Sequence, residues 1–171
     1  MKAFNKSVDI IKRAIEGEKE DEAFYNTLIE MAPTKEQKEI IESIRDDEIR
    51  HNIMFKKMYA ELAGMQNRHK YEVCTRKSMP YIDGIKKALF GEMKAVEEYR
   101  EILKGLPNMC YRDIVFDIIT DEIKHGIKYN YILYLNCLEN KREDKSHGNL
   151  EEMYRNADCL MCQNIPEEFI L

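Results

Sequence analysis

Two Glu-x-x-His segments, Glu48-Ile49-Arg50-His51 and Glu122-Ile123-Lys124-His125, each follow a lone glutamate by thirty residues, Glu18 and Glu92. The two sets are offset by 74 residues at every member. On a helix, a Glu and a His three positions apart share one face, so both can reach the same ion. Doubled and joined by two further glutamates, they form a ligand set for two metal ions in two matched half-sites. Charge points the same way. Ionised carboxylates in an apolar core are costly, and four at one level would repel each other. Two divalent cations cancel four carboxylates and leave the histidines neutral. The chemistry implied is that of a redox-active dinuclear metal centre.

The elements that must position these residues repeat with them. Gly17/Gly91, Tyr25/Tyr99, Pro33/Pro107, Ile44/Ile118, Asp47/Asp121 and Ile49/Ile123 are identical at the same offset. A unit of this length is too long for a solenoid period and reads as a duplicated helical hairpin. Steps of four and three trace an apolar stripe through each helix, broken only where the acids or the acid–His pair fall. The stripes are Phe4, Val8, Ile11, Ile15, Glu18, Glu22, Tyr25, Ile29; Ile41, Ile44, Glu48, His51, Phe55, Met58, Leu62; Ile82, Ile85, Leu89, Glu92, Val96, Tyr99, Leu103; and Val115, Ile118, Glu122, His125, Tyr129, Ile132.

Turns set the heights. Helix 1 should end near Met31-Ala32-Pro33, and Thr34 with Gln37 reads as a capping box opening helix 2. Glu18 and Glu48 lie fifteen residues either side of Pro33, and Glu92 and Glu122 fifteen either side of Pro107. In an antiparallel hairpin each pair then sits at one height, roughly 22 Å from its loop. The sequence predicts an all-α four-helix bundle over 1–142, with hairpins at about 4–62 and 80–140 and a long crossover over 63–79. One long crossover is the ferritin-like topology. Residues 143–171 read as a polar tail with one Cys-x-x-Cys, Cys159 and Cys162.

Composition narrows the classes. Charged residues are 35% and hydrophobic ones 44% of the 171, with 7 Gly and 4 Pro. That profile suits long amphipathic helices. A net charge of −5 gives no reason to expect nucleic acid or an anionic membrane as partner. With no apolar leader, no run long enough to span a bilayer and five unpatterned cysteines, the expected location is cytoplasmic.

One Glu from each of two helices and Glu-x-x-His from each of the other two is the pattern of di-iron carboxylate bundles. On these residues the chain resembles the ferritin-like di-iron superfamily, and within it the rubrerythrins, over about residues 4–140. The resemblance implies Glu48 and Glu122 as bridging ligands, Glu18 and Glu92 as terminal ones, and His51 and His125 completing the two sites. It implies Asp47 and Asp121 as partners that orient the histidines, and Tyr25 and Tyr99 as groups behind the ligands. Core packing explains the two tyrosines equally well.

Two features depart from the family. Peroxide-reducing rubrerythrins carry an extra Glu three residues after the helix-3 glutamate, where this chain has Ala95. Asp21 and Glu22, at and beside the equivalent position on helix 1, are candidates for an extra ligand. The rubredoxin-like module, which needs two Cys-x-x-Cys pairs, is absent. The reading is a di-iron peroxidase that reduces hydrogen peroxide with electrons from a separate donor protein and works as a homodimer. An O2-activating oxidase or hydroxylase, a dimanganese catalase and an iron-sequestering protein remain as alternatives. Oxygen and nitrogen ligands suit iron and manganese alike.

Overall fold

Thr34 and Asn108, one repeat apart, open the second helix of each hairpin. The Thr34 hydroxyl accepts from the Gln37 amide at 3.2 Å. The Asn108 side chain accepts from the Tyr111 amide at 3.0 Å. Each bond satisfies a backbone N–H that has no partner within its helix and contributes about 1 kcal/mol. The computed structural model describes residues 1–64 and 79–146, with the side chains of 18–22 and 140–146 outside the description. Its elements are α1 (Lys2–Met31), α2 (Lys35–Ala63), α3 (Tyr81–Gly105) and α4 (Met109–Ser146), and no described residue lies in a strand. The fold is the all-α, ferritin-like bundle.

Two compact units divide the chain, Met1–Tyr129 and Asn130–Leu171. The first contains every candidate ligand. Of the second, residues 130–146 are described and are helical, four residues beyond the bundle end expected at 142. Cys159, Cys162 and most of the predicted crossover (65–78) lie outside the described residues.

Polar contacts define the packing of the first unit. Asn26 meets Arg45 at 3.1 Å and the Ile15 carbonyl accepts from Asn52 at 3.4 Å, so α1 and α2 are antiparallel. Ser7 donates to the Ile102 carbonyl at 2.8 Å, Tyr25 donates to Glu92, and Leu28 lies against Gly84, so α1 and α3 are antiparallel too. Tyr111 bonds Glu61 and Lys128 bonds Ser43, which makes α4 antiparallel to α2. Helices α2 and α3 therefore run the same way, the direction one long crossover produces. This register brings position 18 of the α1 backbone to the height of Glu48, Glu92 and Glu122.

The core lies on both sides of that level. Ile11, Ile15, Phe55, Ile102, Val115 and Ile118 are closed off below it. The expected stripe on α3 is displaced. Ile85, Glu92 and Tyr99 are buried as expected, but Ala88 and Ile102 are buried where Leu89 and Leu103 were predicted. The close approach of α1 accounts for this. A Cβ on Gly84 would stand 2.6 Å from Leu28, and one on Gly105 would run into the Ala3 carbonyl. With α1 that near, the buried face of α3 turns toward it. Gln37, predicted as half of a capping box, is fully buried and accepts from the Tyr81 hydroxyl at 2.9 Å.

Candidate metal centre

Carboxylates and imidazoles from α2, α3 and α4 meet at one level of the first unit. Glu48, His51, Glu92, Glu122 and His125 are all buried, with Glu122 1% and His125 0% exposed. One ligand atom from each of Glu48, Glu92, Glu122 and His125 lies within 4.8 Å of the others. The histidine rings stack with centroids 5.9 Å apart.

The two Glu-x-x-His glutamates stand between both rings. Glu122 places Oε1 3.2 Å from His51 Nδ1 and Oε2 3.2 Å from His125 Nδ1. Glu48 places Oε1 3.0 Å from His125 Nδ1 and Oε2 3.5 Å from His51 Nδ1. Glu92 is near His125 alone, at 3.8 Å, and accepts from the Tyr25 hydroxyl at 3.2 Å. Tyr99 lies edge-on to Phe55 with centroids 5.0 Å apart. Glu18, Asp21 and Glu22 are in α1, and their side chains lie outside the described residues.

Each ring is held from behind by the opposite Glu-x-x-His helix. His51 Nε2 is 3.2 Å from Asp121 Oδ2, and His125 Nε2 is 3.1 Å from Asp47 Oδ2. With Nε2–H donating to the aspartate, Nδ1 is the ring atom left facing the glutamates. Sequence reasoning named both aspartates without this reciprocal, cross-helix pairing. It also missed Arg50, which reaches both Asp47 and Asp121, and Lys124, which pairs with Asp121. Their signal was present: Arg50 and Lys124 are the same position of the repeat. Nothing in the pattern marked Asn52, whose partner by the repeat is Gly126.

The electrostatics follow from burial and crowding. Burial favours neutral His51, but Glu122 and Glu48 beside it outweigh that and push it up to about 10. Burial likewise opposes charge on His125, and Glu122, Glu48 and Glu92 push it up to about 12. Burial pushes Glu92 well above the usual carboxylate range, and the charges of Glu48 and Glu122 add to this. Burial works against ionised Glu122 as well, yet the two histidines draw it down to about 2. Without a metal, protons do the work of cations in this cluster.

These residues fit a pair of divalent ions. Glu48 Oε1, His51 Nδ1 and Glu122 Oε1 are buried and make no hydrogen bond among the described residues, although each lies close to another ligand atom. Buried polar atoms without partners cost about 1–3 kcal/mol each. Cations between them would satisfy all three and displace the imidazole protons. The donor set of carboxylate oxygen and imidazole nitrogen suits iron or manganese. A cleft of about 340 Å³, lined by Arg50, His51, Met54, Asp121 and Lys124 among others, opens beside His51.

The rubrerythrin family profile matches residues 9–133. The uncharacterised protein YhjR of Bacillus subtilis (strain 168) is 28% identical over 124 residues, covering 72% of this chain and 83% of the relative. No solved structure matches significantly. Among the described residues, no helix is long and apolar enough to cross a membrane.

Proposed function

The chain belongs to the rubrerythrin family, and from that premise we propose that it is a dinuclear-iron oxidoreductase that reduces hydrogen peroxide with electrons from a separate donor protein. The observation that carries the reading is the placement of Glu48 and Glu122, each with oxygens facing both imidazoles. That placement is what bridging carboxylates need. Glu92, facing His125 of the two histidines, suits a terminal ligand, and the repeat makes Glu18 its counterpart in the other half-site.

Two iron ions held there would supply the two electrons that, with two protons, turn peroxide into two waters. The chain's own residues prepare the site. Asp47 and Asp121 hold each imidazole with Nδ1 inward. The Tyr25 hydroxyl steadies Glu92. Ile11, Ile15 and Phe55 exclude water on the core side, where a drier environment strengthens every charge interaction.

Ala95 favours a second reading, with O2 as oxidant. It packs against the apolar core where peroxide-reducing relatives place another carboxylate. Stopped-flow oxidation of the anaerobically Fe²⁺-loaded protein separates the two. Faster oxidation by peroxide than by O2 is the expected result. The reverse order replaces the peroxidase with an oxidase or an iron-sequestering ferroxidase. A protein that takes up no iron but binds two Mn²⁺ points to the catalase alternative.

A further inference from the structure

We propose that Arg50 is a positioning residue shared by both half-sites, its guanidinium coupling the two aspartates that hold His51 and His125. This rests on reading the cluster as a dinuclear metal centre. The Arg50 Nη2 amino group lies 2.9 Å from Asp47 Oδ1 and 3.2 Å from Asp121 Oδ2. Asp47 holds His125, and Asp121 holds His51. The chain of contacts therefore runs His125, Asp47, Arg50, Asp121, His51, and it crosses between α2 and α4 three times.

The repeat supplies an internal comparison. Lys124 occupies the position equivalent to Arg50, and its ion pair among the described residues is with Asp121, while Asp47 acts on it only at longer range. The chemistry of the two cations explains the difference. A guanidinium presents several N–H donors in a fixed planar fork and can serve two carboxylates at once, whereas an ammonium is a compact charge on a flexible stem. The half-sites are consequently unequal. Asp121 answers to Arg50, Lys124 and His51, while Asp47 answers to Arg50 and His125. Arg50 is itself 52% exposed, and ion pairs so open to solvent add little to folding. Its effect on the centre is thus separable from its effect on stability.

The test is an anaerobic Co²⁺ titration of the full chain as wild type, Arg50→Gln, Arg50→Lys, Lys124→Gln and Glu122→Gln. Proton NMR of the Co²⁺-loaded forms follows the two exchangeable imidazole Nε2–H signals. Wild type should take two ions. Loss of a group behind a ligand commonly weakens metal binding by about 10–100-fold, so Arg50→Gln should weaken both ions about tenfold and speed exchange of both N–H signals. Lys124→Gln should affect one ion and one signal, and Arg50→Lys should recover part of the loss. The metal-free unfolding midpoint of Arg50→Gln should stay within about 2 °C of wild type. Wild-type affinities and exchange rates in Arg50→Gln would overturn the proposal, as would equal losses in Lys124→Gln or losses that track metal-free stability. A wild type that takes fewer than two ions, or a Glu122→Gln that takes two as tightly as wild type, would overturn the metal-centre reading and this proposal with it.

Discussion

Glu122→Gln perturbs the centre where its two halves meet. Glu122 is 1% exposed, with one oxygen 3.2 Å from each histidine Nδ1. The change keeps the side-chain shape, so it opens no cavity, but it removes one charge and one of the two oxygens of a carboxylate that both ions would share. An ion that binds only the folded state stabilises it by about 2.7 kcal/mol at a hundredfold excess over its dissociation constant. Two ions then contribute about 5 kcal/mol. In a chain of this length each kcal/mol moves the midpoint by about 2–4 °C, so metal should raise wild-type Tm by roughly 10–20 °C. In Glu122→Gln that rise should fall below about 5 °C. Glu92→Gln removes a carboxylate that faces His125 alone and should keep about half of the wild-type rise. The assay is thermal unfolding by circular dichroism, with chelator and with anaerobic Fe²⁺. Each variant is compared with itself, so a change in metal-free stability does not enter. A full metal-dependent rise in Glu122→Gln, or a larger loss in Glu92→Gln than in Glu122→Gln, would refute the reasoning.

Two more outcomes follow from the same structure. Without metal, folded His51 and His125 keep their protons up to about 10 and about 12, whereas ordinary histidine loses its proton near 6.5. The stability they contribute is complete below 6.5 and drains away as pH rises toward about 10 for His51 and about 12 for His125, by up to about 1.4 kcal/mol per pH unit for each retained proton. Metal must displace those protons, so the metal-dependent rise in Tm should instead grow over the same window; urea midpoints at pH 6 and pH 9, with and without chelator, check both signs. Gly105→Ala should destabilise by about 1–3 kcal/mol, because its Cβ would collide with the Ala3 backbone. Gly91→Ala should stabilise by about 0.5–1 kcal/mol, because its Cβ would meet nothing within 4 Å, and urea titration of the two variants reads the opposite signs directly.

Legibility in the sequence followed the kind of physics each feature obeys. Helix period and distance from a turn are local quantities. Glu48, Glu92 and Glu122 could therefore be brought to one height from Pro33 and Pro107 alone, and Thr34 could be read as a cap. Which neighbour a helix leans on is not local. The rotation of α3 depends on how near α1 comes at Gly84 and Gly105, and no stripe on α3 records that distance. The pairing of Asp47 with His125 rather than His51 depends likewise on the α2–α4 register. Gln37 was read from its neighbours in sequence and found its partner in Tyr81, forty-four residues on.

The repeat explains both the site and its departures from symmetry. Two copies of one hairpin, facing each other, turn a Glu-x-x-His into two ligand sets and place each glutamate between both histidines. Each copy also supplies the aspartate that the other copy's histidine needs. Neither hairpin alone can orient its own imidazole, so the centre comes into being only when the two halves pack. Among the described residues, each ligand and aspartate that the two copies hold in common has a partner across the interface. Among the positions that have diverged, three lie just outside that set: Arg50 against Lys124, Asn52 against Gly126, Asp21 against Ala95. Two of these pairs flank the histidines and the third follows the lone glutamates by three residues. On the proposed dinuclear reading, differences at those places would leave the ability to hold two ions intact and change how each ion is held. Any functional inequality between the two metal positions should therefore trace to these three pairs before it traces to the ligands themselves.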